Sequence, residues 1–339
     1  MPISLEERYA RQVLFPPIGT AGQQRLAAAR VAIVGCGATG SVVASLLVRA
    51  GAGVVRLIDR DYVEPGNLHR QLLFDEADAE QALPKAVAAG RRLASANRAV
   101  QVEPVVTDLV AGNIHGLLAG FHLFMDGTDN FETRYLINDY AVQQGIPWIY
   151  CGAVGSSGTT MNIRPGQNAC LSCIWPEPPS GGLETCDTAG ILNSAAAAIA
   201  SIGATEALKL LTGCEGEMRG TVLSLDLWTG QRAEVRVARA PSCRTCGQRD
   251  FRHLQPALRT PVTLCGRNSV QVHERNQELD LMEIETRLRP HGSVRRNEFV
   301  LKFCRESYEI TLFRDGRAVI KGTTDHGVAR SLYARYIGC

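Results

Sequence analysis

The chain has 339 residues, of which 45% are hydrophobic and 21% are charged, and its formal net charge is +2. A chain of this length can bury one large core and still leave room for a small second domain. Lysines and arginines nearly balance the acidic residues and form no run interleaved with aromatic residues, which excludes the usual pattern of a nucleic-acid surface. Charge therefore indicates no particular partner.

The N-terminal segment, MPISLEERYARQ, mixes acidic and basic residues and lacks the apolar region of a secretory signal. The longest apolar stretch, 191–211, is interrupted by polar residues, which argues against a membrane span. These residues are Asn193, Ser194, Ser201, Glu206 and Lys209. We expect a cytoplasmic protein that binds neither membrane nor nucleic acid.

The first nucleotide-binding signal is a short β-branched strand, RVAIV at 30–34, that leads directly into GCGATG. Residues 41–50 have helical composition, and a second strand ends at Asp59, 19 residues beyond the last glycine. In such a loop the glycines let the backbone approach a phosphate at a helix N-terminus, and the acid accepts hydrogen bonds from ribose hydroxyls. The glycines concerned are Gly35, Gly37 and Gly40.

Alternation of strands and helices continues beyond this unit. Apolar runs at 102–106, 121–125 and 146–151 are separated by segments of helical composition. This order is typical of an α/β protein with helices on both faces of its sheet. We predict a doubly wound, mostly parallel, Rossmann-like sheet.

Three charged or polar side chains follow that suit a phosphate chain. The segment after Asp59 carries Asn67 and Arg70, and Lys85 follows in the sequence LPKA. The alternative for Arg70 and Lys85 is ordinary surface charge.

Asp129 decides between two kinds of nucleotide. It comes just after the apolar run 121–125, where an open α/β sheet carries its ligand-binding loops. A glycine loop by itself is usually read as an NAD or FAD site. Two cations and a carboxylate at one mouth instead suit a triphosphate with a magnesium ion, because a nicotinamide ring needs neither charge neutralisation nor an oxygen ligand.

Four of the eleven cysteines form two C-x-x-C pairs, and each pair places two thiolates on one side of a tight turn. Four sulfurs make a closed tetrahedral site, so a zinc ion there would be structural, and its binding contributes on the order of 10 kcal/mol. Redox dithiols or unrelated thiols are the alternative. The pairs are Cys170 with Cys173, and Cys243 with Cys246.

The segment from 256 onward differs in character and carries 14 lysines and arginines against 10 acidic residues. Its pattern predicts strands at 269–274, 299–304, 307–313 and 318–322, and helices at 279–288 and 325–337. We predict a nucleotide-binding domain over 1–255 and a small α+β domain over 256–339, whose chemical role the sequence does not indicate. Cys265 lacks the remaining pattern of a rhodanese loop.

Taken together, these motifs resemble the ThiF and MoeB family, the bacterial relatives of ubiquitin-activating enzymes. The resemblance covers residues 1 to about 250 and is nearest to the form of Bacillus-like bacteria, which also carries a C-terminal extension. Besides the two C-x-x-C pairs, its motifs are RYARQ at 8–12, GCGATG at 35–40, IDRDYVEPGNLHRQ at 58–71, LPKA at 83–86, GTDNFETR at 127–134 and LETCDTAGI at 183–191.

The resemblance implies that the enzyme adenylates the C-terminal glycine of a small β-grasp sulfur carrier ending in Gly-Gly. The carrier would then become a thiocarboxylate for thiamin, molybdopterin or related synthesis, with sulfur from a cysteine desulfurase or another persulfide donor. The glycine loop and Asp59 would hold ATP, Asn67, Arg70 and Lys85 the triphosphate, and Asp129 the Mg²⁺ ion.

The resemblance also implies a homodimer in which Arg11 reaches the ATP of the neighbouring subunit, although the sequence alone allows a solvated surface for this residue. Cys186 lies in a proline-rich and glycine-rich loop, where the family places a reactive thiol in ThiF-like members. Its alternative is a free thiol without a step of its own, since reactivity depends on a lowered pKa.

Three classes of function remain open at this point. One is the adenylyltransferase, and another is an NAD-dependent oxidoreductase with the same fold. The third is an inactive zinc-containing scaffold, which we would expect to have lost some of the triphosphate-binding residues. None of these residues is missing from the sequence.

Overall fold

The computed structural model describes residues 4–177, 188–255, 268–272 and 278–338, together with the backbone of 262–264. The chain forms two compact units, each with its own sheet. The first comprises Met1–Ala79 and Pro84–Pro256, and the second comprises Glu80–Leu83 and Ala257–Cys339.

The first unit alternates helices and strands up to its middle, as the sequence predicts. Short 3-10 turns occur at Pro65–Asn67, Glu215–Glu217 and Arg252–Leu254. In chain order the elements are α1 (Leu5–Val13), α2 (Gly19–Ala28), β1 (Arg30–Val34), α3 (Ala38–Ala50), β2 (Val54–Asp59), α4 (Glu76–Glu80), α5 (Lys85–Ala96), β3 (Gln101–Val106), α6 (Ile114–Leu118), β4 (Leu123–Asp126), α7 (Phe131–Gln144), β5 (Trp148–Val154), β6 (Ser157–Ile163), α8 (Leu171–Ile174), α9 (Asn193–Thr212), β7 (Val222–Asp226) and β8 (Gln231–Val235).

The eight strands form one sheet in the order β3-β2-β1-β4-β5-β6-β7-β8. Strands β1 to β5 pair in parallel, and β6 to β8 continue the sheet in antiparallel pairs. Strand order reverses at β1, which has β2 on one side and β4 on the other. In open α/β sheets the carboxyl edge beside such a reversal is where ligands bind.

Local sequence explains where the helices around this edge begin and end. Helix α3 starts immediately after the glycine loop and stops at Gly51, whose φ of 94° is left-handed and therefore suits glycine. Helix α7 is capped at its start by Asn130, whose side chain accepts a hydrogen bond from the Thr133 N–H at 2.8 Å, and at its end by the left-handed Gly145. Capping thus fixes both ends of α7 and the C-terminal end of α3.

Helix α9 is long and apolar enough to cross a membrane by length and composition alone. Within the structure 56% of its apolar window is buried, because it packs against α2, α3, β5 and β6. Core helices of this kind pass the same length test.

Where the structure describes the second unit, it contains a six-stranded antiparallel sheet in the order β11-β12-β13-β14-β10-β9 and two helices. Its apolar core includes Leu301, Phe303, Ile310 and Tyr333. The elements are β9 (Val262–Leu264), β10 (Ser269–Val272), α10 (Leu281–Leu288), β11 (Ser293–Arg296), β12 (Val300–Arg305), β13 (Tyr308–Phe313), β14 (Ala318–Lys321) and α11 (His326–Tyr336), with a 3-10 turn at Arg289–His291.

The predicted fold class is confirmed: a mostly parallel Rossmann-like sheet is accompanied by a small α+β sheet domain. The sequence did not predict β6, β7 and β8, nor β9 and β11 in the second unit.

Candidate functional site

At the carboxyl edge of β1, the backbone at Gly35 contacts the backbones at Gly40 and Gly127 with no side chain between them. Gly35 has a φ of 88°, and a Cβ on Gly40 would lie 1.9 Å from the Gly35 carbonyl oxygen. A Cβ on Gly127, directly after β4, would lie 2.3 Å from the same oxygen. Gly37 is different, because a Cβ there would meet nothing nearer than 3.8 Å. Packing requires glycine at three positions, whereas a methyl group on Gly37 would meet its neighbours only at ordinary contact distance.

Asp59 ends β2 and holds the glycine loop in place. Its Oδ2 accepts the Cys36 N–H at 2.6 Å, and its Oδ1 accepts the Asp61 N–H at 2.7 Å. Burial raises the pKa of Asp59 above its ordinary value, and the Lys85 ammonium opposes that shift. Each carboxylate oxygen has a second lone pair, so the group can still accept a ribose hydroxyl.

Lys85 lies at the start of α5 with only 4% of its surface exposed. The side-chain Nζ of Lys85 is 3.3 Å from the Asp61 Oδ2, and the backbone N–H of Lys85 donates to the Asp61 carbonyl at 2.8 Å. The segment after β2 is therefore tied to the N-terminus of α5. This contact brings the Lys85 ammonium to the same edge of the sheet as Asp59.

Asn67 and Arg70 belong to a tight turn after β2. The Asn67 Oδ1 accepts the Glu64 N–H at 3.1 Å, so its Nδ2 is the end that a ligand can use. Arg70 is half-buried, and its Nη1 donates to the Gly66 carbonyl at 2.7 Å. The next residue, Gln71, is buried, and its Nε2 lies 3.9 Å from where a Cβ on Gly37 would be. The turn therefore leads directly to the glycine loop.

Asp129 is exposed in the loop between β4 and α7, and a buried ion pair shapes this loop from behind. The Arg134 Nε donates to the Asp126 Oδ2 at 2.9 Å, and its Nη2 donates to the Thr128 carbonyl at 2.6 Å. The Thr128 N–H and hydroxyl both donate to the Asp126 Oδ1. Thr128 is thus held on both sides, directly before Asp129.

Arg134 is further fixed by two aromatic rings. Its guanidinium carbon lies 5.2 Å from the ring centre of Phe131 and 4.9 Å from that of Tyr150. Cations stack favourably on aromatic faces, and a planar guanidinium between two rings loses most of its freedom. The position of the Asp129 loop therefore depends on the β5 side of the sheet as well as on α7.

Arg11 is not brought to this edge. It is exposed in the last turn of α1, next to Gln12, whose Nε2 donates to the Ala50 carbonyl at 2.8 Å. Ala50 ends α3, which runs from the carboxyl edge of the sheet to the amino edge. Arg11 therefore lies at the opposite edge from Asp59 and Lys85 of its own chain.

The two C-x-x-C pairs meet in one cluster, whose four sulfurs lie within 4.8 Å of one another. The Sγ atoms of Cys170 and Cys243 are 3.6 Å apart, and those of Cys173 and Cys246 are 3.4 Å apart. Sulfurs placed 2.3 Å from one zinc ion at tetrahedral angles would be about 3.8 Å apart. The donor set and its spacing therefore fit a tetrahedral metal ion.

Helix α7 supports both halves of this cluster. The Asn138 Oδ1 accepts the Leu171 N–H at 3.0 Å, beside the first pair of cysteines. The Asp139 Oδ1 accepts the Thr245 hydroxyl at 2.8 Å, between the second pair. Burial raises the pKa of Asp139, and the hydrogen bond from Thr245 opposes that shift. One helix thus extends from the Asp129 loop to the cysteine cluster.

Cys186 lies outside the described residues, so its predicted role stays a prediction. Among the cysteines that the structure describes, Cys36 and Cys151 are buried and Cys304 is exposed. Burial raises the pKa of the Cys36 thiol, and the Asp59 carboxylate adds to the shift. The Cys36 side chain is therefore held as a neutral thiol, while its backbone N–H holds Asp59.

A comparison with protein families matches residues 9–245 to the ThiF family. The chain belongs to the ThiF family. The predicted resemblance to this family is thus confirmed.

Relatives of this ThiF-family chain extend the match beyond the family domain. It is 45% identical over 338 residues to the sulfur carrier protein ThiS adenylyltransferase of Bacillus subtilis, covering 98% of this chain and 99% of that protein. It is 36% identical to the sulfur carrier protein adenylyltransferase of Thermus thermophilus, and this match covers 71% of this chain and 90% of that protein. The crystal structure of Escherichia coli MccB with ATP shares the fold, with a TM-score of 0.62 and 23% identity over 71% of this chain and 74% of that chain.

Sequence reasoning missed several residues that shape the site. Gly127 carried a signal, because a glycine directly after a predicted strand indicates close backbone approach. Arg134 stood inside the motif at 127–134, but nothing in the sequence indicates its pairing with Asp126, which depends on where α7 packs. Asp61 and Gln71 stood inside a recognised motif, but only the fold shows that they contact Lys85 and approach Gly37.

The glycine geometry predicts different effects for two alanine substitutions. Gly127→Ala forces a methyl group against the Gly35 carbonyl and should cost about 1–3 kcal/mol of stability. Gly37→Ala should cost less, about 1 kcal/mol, because its methyl meets no atom nearer than 3.8 Å and the loss is that of a glycine N-cap; it should also weaken ATP binding at this helix end. Urea denaturation and calorimetric titration with ATP measure the two quantities. A stable Gly127→Ala variant would contradict the close packing.

The buried ion pair predicts non-additive effects. Arg134→Met leaves the Asp126 carboxylate buried without its cation and should cost about 3–5 kcal/mol in urea denaturation. The double variant Arg134→Met, Asp126→Asn removes the uncompensated charge and should recover part of that loss. ATP binding should stay impaired in both variants, because Thr128 has lost the Arg134 donor. Additive losses in the double variant would show that the two side chains act independently.

Proposed function

We propose that this ThiF-family enzyme adenylates the C-terminal glycine of a small ubiquitin-like sulfur carrier. The observation that carries this proposal is the 45% identity, over 98% of the chain, to a ThiS adenylyltransferase. A nucleotidyltransferase accounts for the cationic residues around the glycine loop, which an NAD-dependent oxidoreductase would not use. An inactive scaffold is disfavoured, since all the expected triphosphate-binding residues are present.

ATP would bind at the carboxyl edge of β1. The N-terminus of α3 has no side-chain cap, so its N–H groups suit a phosphate above Gly37. Asp59 would accept ribose hydroxyls. Asn67 and Arg70 would donate hydrogen bonds to phosphate oxygens. The Lys85 ammonium would neutralise the negative charge of these phosphates.

Magnesium would be held beside the phosphates by Asp129. This carboxylate is exposed at the mouth of the site, whereas the carboxylate of Asp126 is already used by Arg134 and Thr128. Oxygen ligands of this kind suit Mg²⁺, which when bound neutralises charge on the phosphates of ATP.

The carrier itself supplies the attacking group. A terminal glycine carboxylate has a pKa of about 3.5 and is already ionised at neutral pH, so it needs no general base. One carboxylate oxygen forms a bond to the α-phosphorus, and the bond from that phosphorus to the β-phosphate oxygen breaks. The products are the carrier acyl-adenylate and pyrophosphate. The enzyme contributes orientation and charge neutralisation.

A homodimer would give Arg11 a role. Its own ATP site lies at the other edge of the sheet, so this guanidinium can reach a nucleotide only in another subunit. We propose that it contacts the phosphates of the neighbouring chain.

Zinc is the metal that we assign to the cysteine cluster. Four thiolates at tetrahedral spacing leave no open position, so the ion would join the two C-x-x-C turns and take no part in adenylation. Since α7 contacts both turns, loss of the metal would also loosen the support behind the Asp129 loop.

Sulfur would reach the adenylate from a cysteine desulfurase or another persulfide donor, after adenylation is complete. Cys186 stays a candidate for relaying it. The assignment of 1–255 as the adenylyltransferase domain is part of the same proposal, and we propose no chemical role for 256–339. The proposed site of action is the cytoplasm.

Exchange of pyrophosphate into ATP tests the adenylation step. It should require both a carrier ending in Gly-Gly and Mg²⁺. Arg70→Ala, Lys85→Ala and Asp129→Ala should each lower its rate by about two orders of magnitude or more, as when a preorganised electrostatic contact is removed. Arg164→Ala is the control, because Arg164 forms its ion pair with Glu215 outside this edge of the sheet. Near-normal exchange in all three variants would show that the triphosphate binds elsewhere.

Metal analysis tests the zinc assignment. The purified protein should contain one zinc ion per chain, and the double variant Cys243→Ser, Cys246→Ser should lose both the zinc and thermal stability. Cys304→Ser, which removes an exposed thiol outside the cluster, should keep its zinc. Full zinc retention in the double variant would refute the assignment.

A further inference from the structure

Gln71 is a buried polar side chain that the adenylation chemistry described above does not use. Only 3% of its surface is exposed. Its backbone is fixed by the turn, because its N–H donates to the Asn67 carbonyl at 3.0 Å and its carbonyl accepts the Phe74 N–H at 3.2 Å. The side chain is therefore held beside the glycine loop by its backbone and by packing.

The carboxamide of Gln71 is incompletely bonded by the protein. Its Oε1 is buried and has no hydrogen-bond donor within the described part of the chain. Leaving a buried polar atom without a partner is unfavourable, and native proteins rarely do so without a reason. A glutamine that served only to stabilise the turn would be expected to bond through both ends of its amide.

The amide lies beside Gly37, at the start of α3. Its Nε2 lies 3.9 Å from the position of a Cβ on Gly37, and a Cβ there would have no closer contact than 3.8 Å. Gly37 is also the N-cap of α3, a helix of 13 residues whose first N–H groups receive no side-chain cap. The buried amide and the uncapped helix end are two independent features that meet at one point.

We propose that Gln71 binds the nucleotide directly, by donating from its carboxamide to a phosphate oxygen of ATP at the N-terminus of α3. The Nε2 end of the amide, which lies nearest Gly37, carries the two N–H groups that would face the ligand. Phosphate oxygens only accept hydrogen bonds at neutral pH, and an amide donor therefore complements them. This inference rests on the proposed function, since it takes ATP to be the ligand.

Gln71→Met tests the proposal, because methionine has a similar length and offers no donor. Calorimetric titration with ATP and Mg²⁺, without a carrier, should show affinity lowered about 10-fold or more, as for loss of a hydrogen bond to a charged group. The melting temperature of the unliganded protein should stay unchanged or rise, since an unsatisfied buried oxygen has been removed.

Gln23→Met is the matched control. The Gln23 amide donates to the Ala50 carbonyl at 3.0 Å and accepts from Gln12 at 2.6 Å, away from the glycine loop. We expect this variant to lower the melting temperature by about 2–4 °C and to bind ATP like wild type.

Gln71→Glu provides a second variant should Gln71→Met fail to fold. Glutamate keeps the shape and adds a negative charge beside the phosphates, so ATP affinity should fall further than in Gln71→Met. ATP affinity within twofold of wild type in either variant would overturn the proposal. So would a loss of melting temperature in Gln71→Met as large as that in Gln23→Met, because it would indicate a structural role.

The same titration separates this inference from the proposed function. A wild-type protein that binds ATP but shows no pyrophosphate exchange with any carrier tested would overturn carrier adenylation. The role of Gln71 is decided by ATP affinity alone. A wild-type protein that binds no ATP would overturn both.

Discussion

The contact between the Gly35 carbonyl and the backbones of Gly40 and Gly127 sets the geometry of the whole site. It brings the ends of β1 and β4 so close that no side chain fits between them. Gly37, in the same loop, is under no such constraint, because a Cβ there would meet no atom nearer than 3.8 Å. Asp59 fixes this loop through the Cys36 N–H, and Lys85 is joined to the same strand end through Asp61.

Much of this arrangement was predictable because its signals are local. A β-branched strand, three glycines and an acid at a fixed distance define the loop without any knowledge of the rest of the fold. The cysteine pairs are equally local, and the structure brings all four sulfurs together. The small α+β sheet was also largely predictable, since β13 alternates apolar and polar residues and β12 and β14 contain short apolar β-branched or aromatic runs.

The rest depends on tertiary contacts that a single sequence does not display. Strand β8 is exposed at every position, so the alternation of Ala233 and Val235 with charged residues does not mark a buried face. Arg134 looks like any surface residue of a helix until α7 packs and buries it against Asp126. Gln71 follows Arg70 in a recognised motif, but its importance comes from an unsatisfied oxygen, which only the folded chain reveals.

The two outer strands of the large sheet have a consequence for aggregation. An exposed sheet edge presents unpaired backbone groups that can capture a strand from another molecule. Strand β3, at one edge, contains Pro104, which lacks an N–H to donate. Strand β8, at the other edge, carries the ion pair of Arg232 and Glu234, whose hydration an added strand would disturb. Both edges therefore resist the addition of further strands, so a sheet of eight strands can remain open without polymerising.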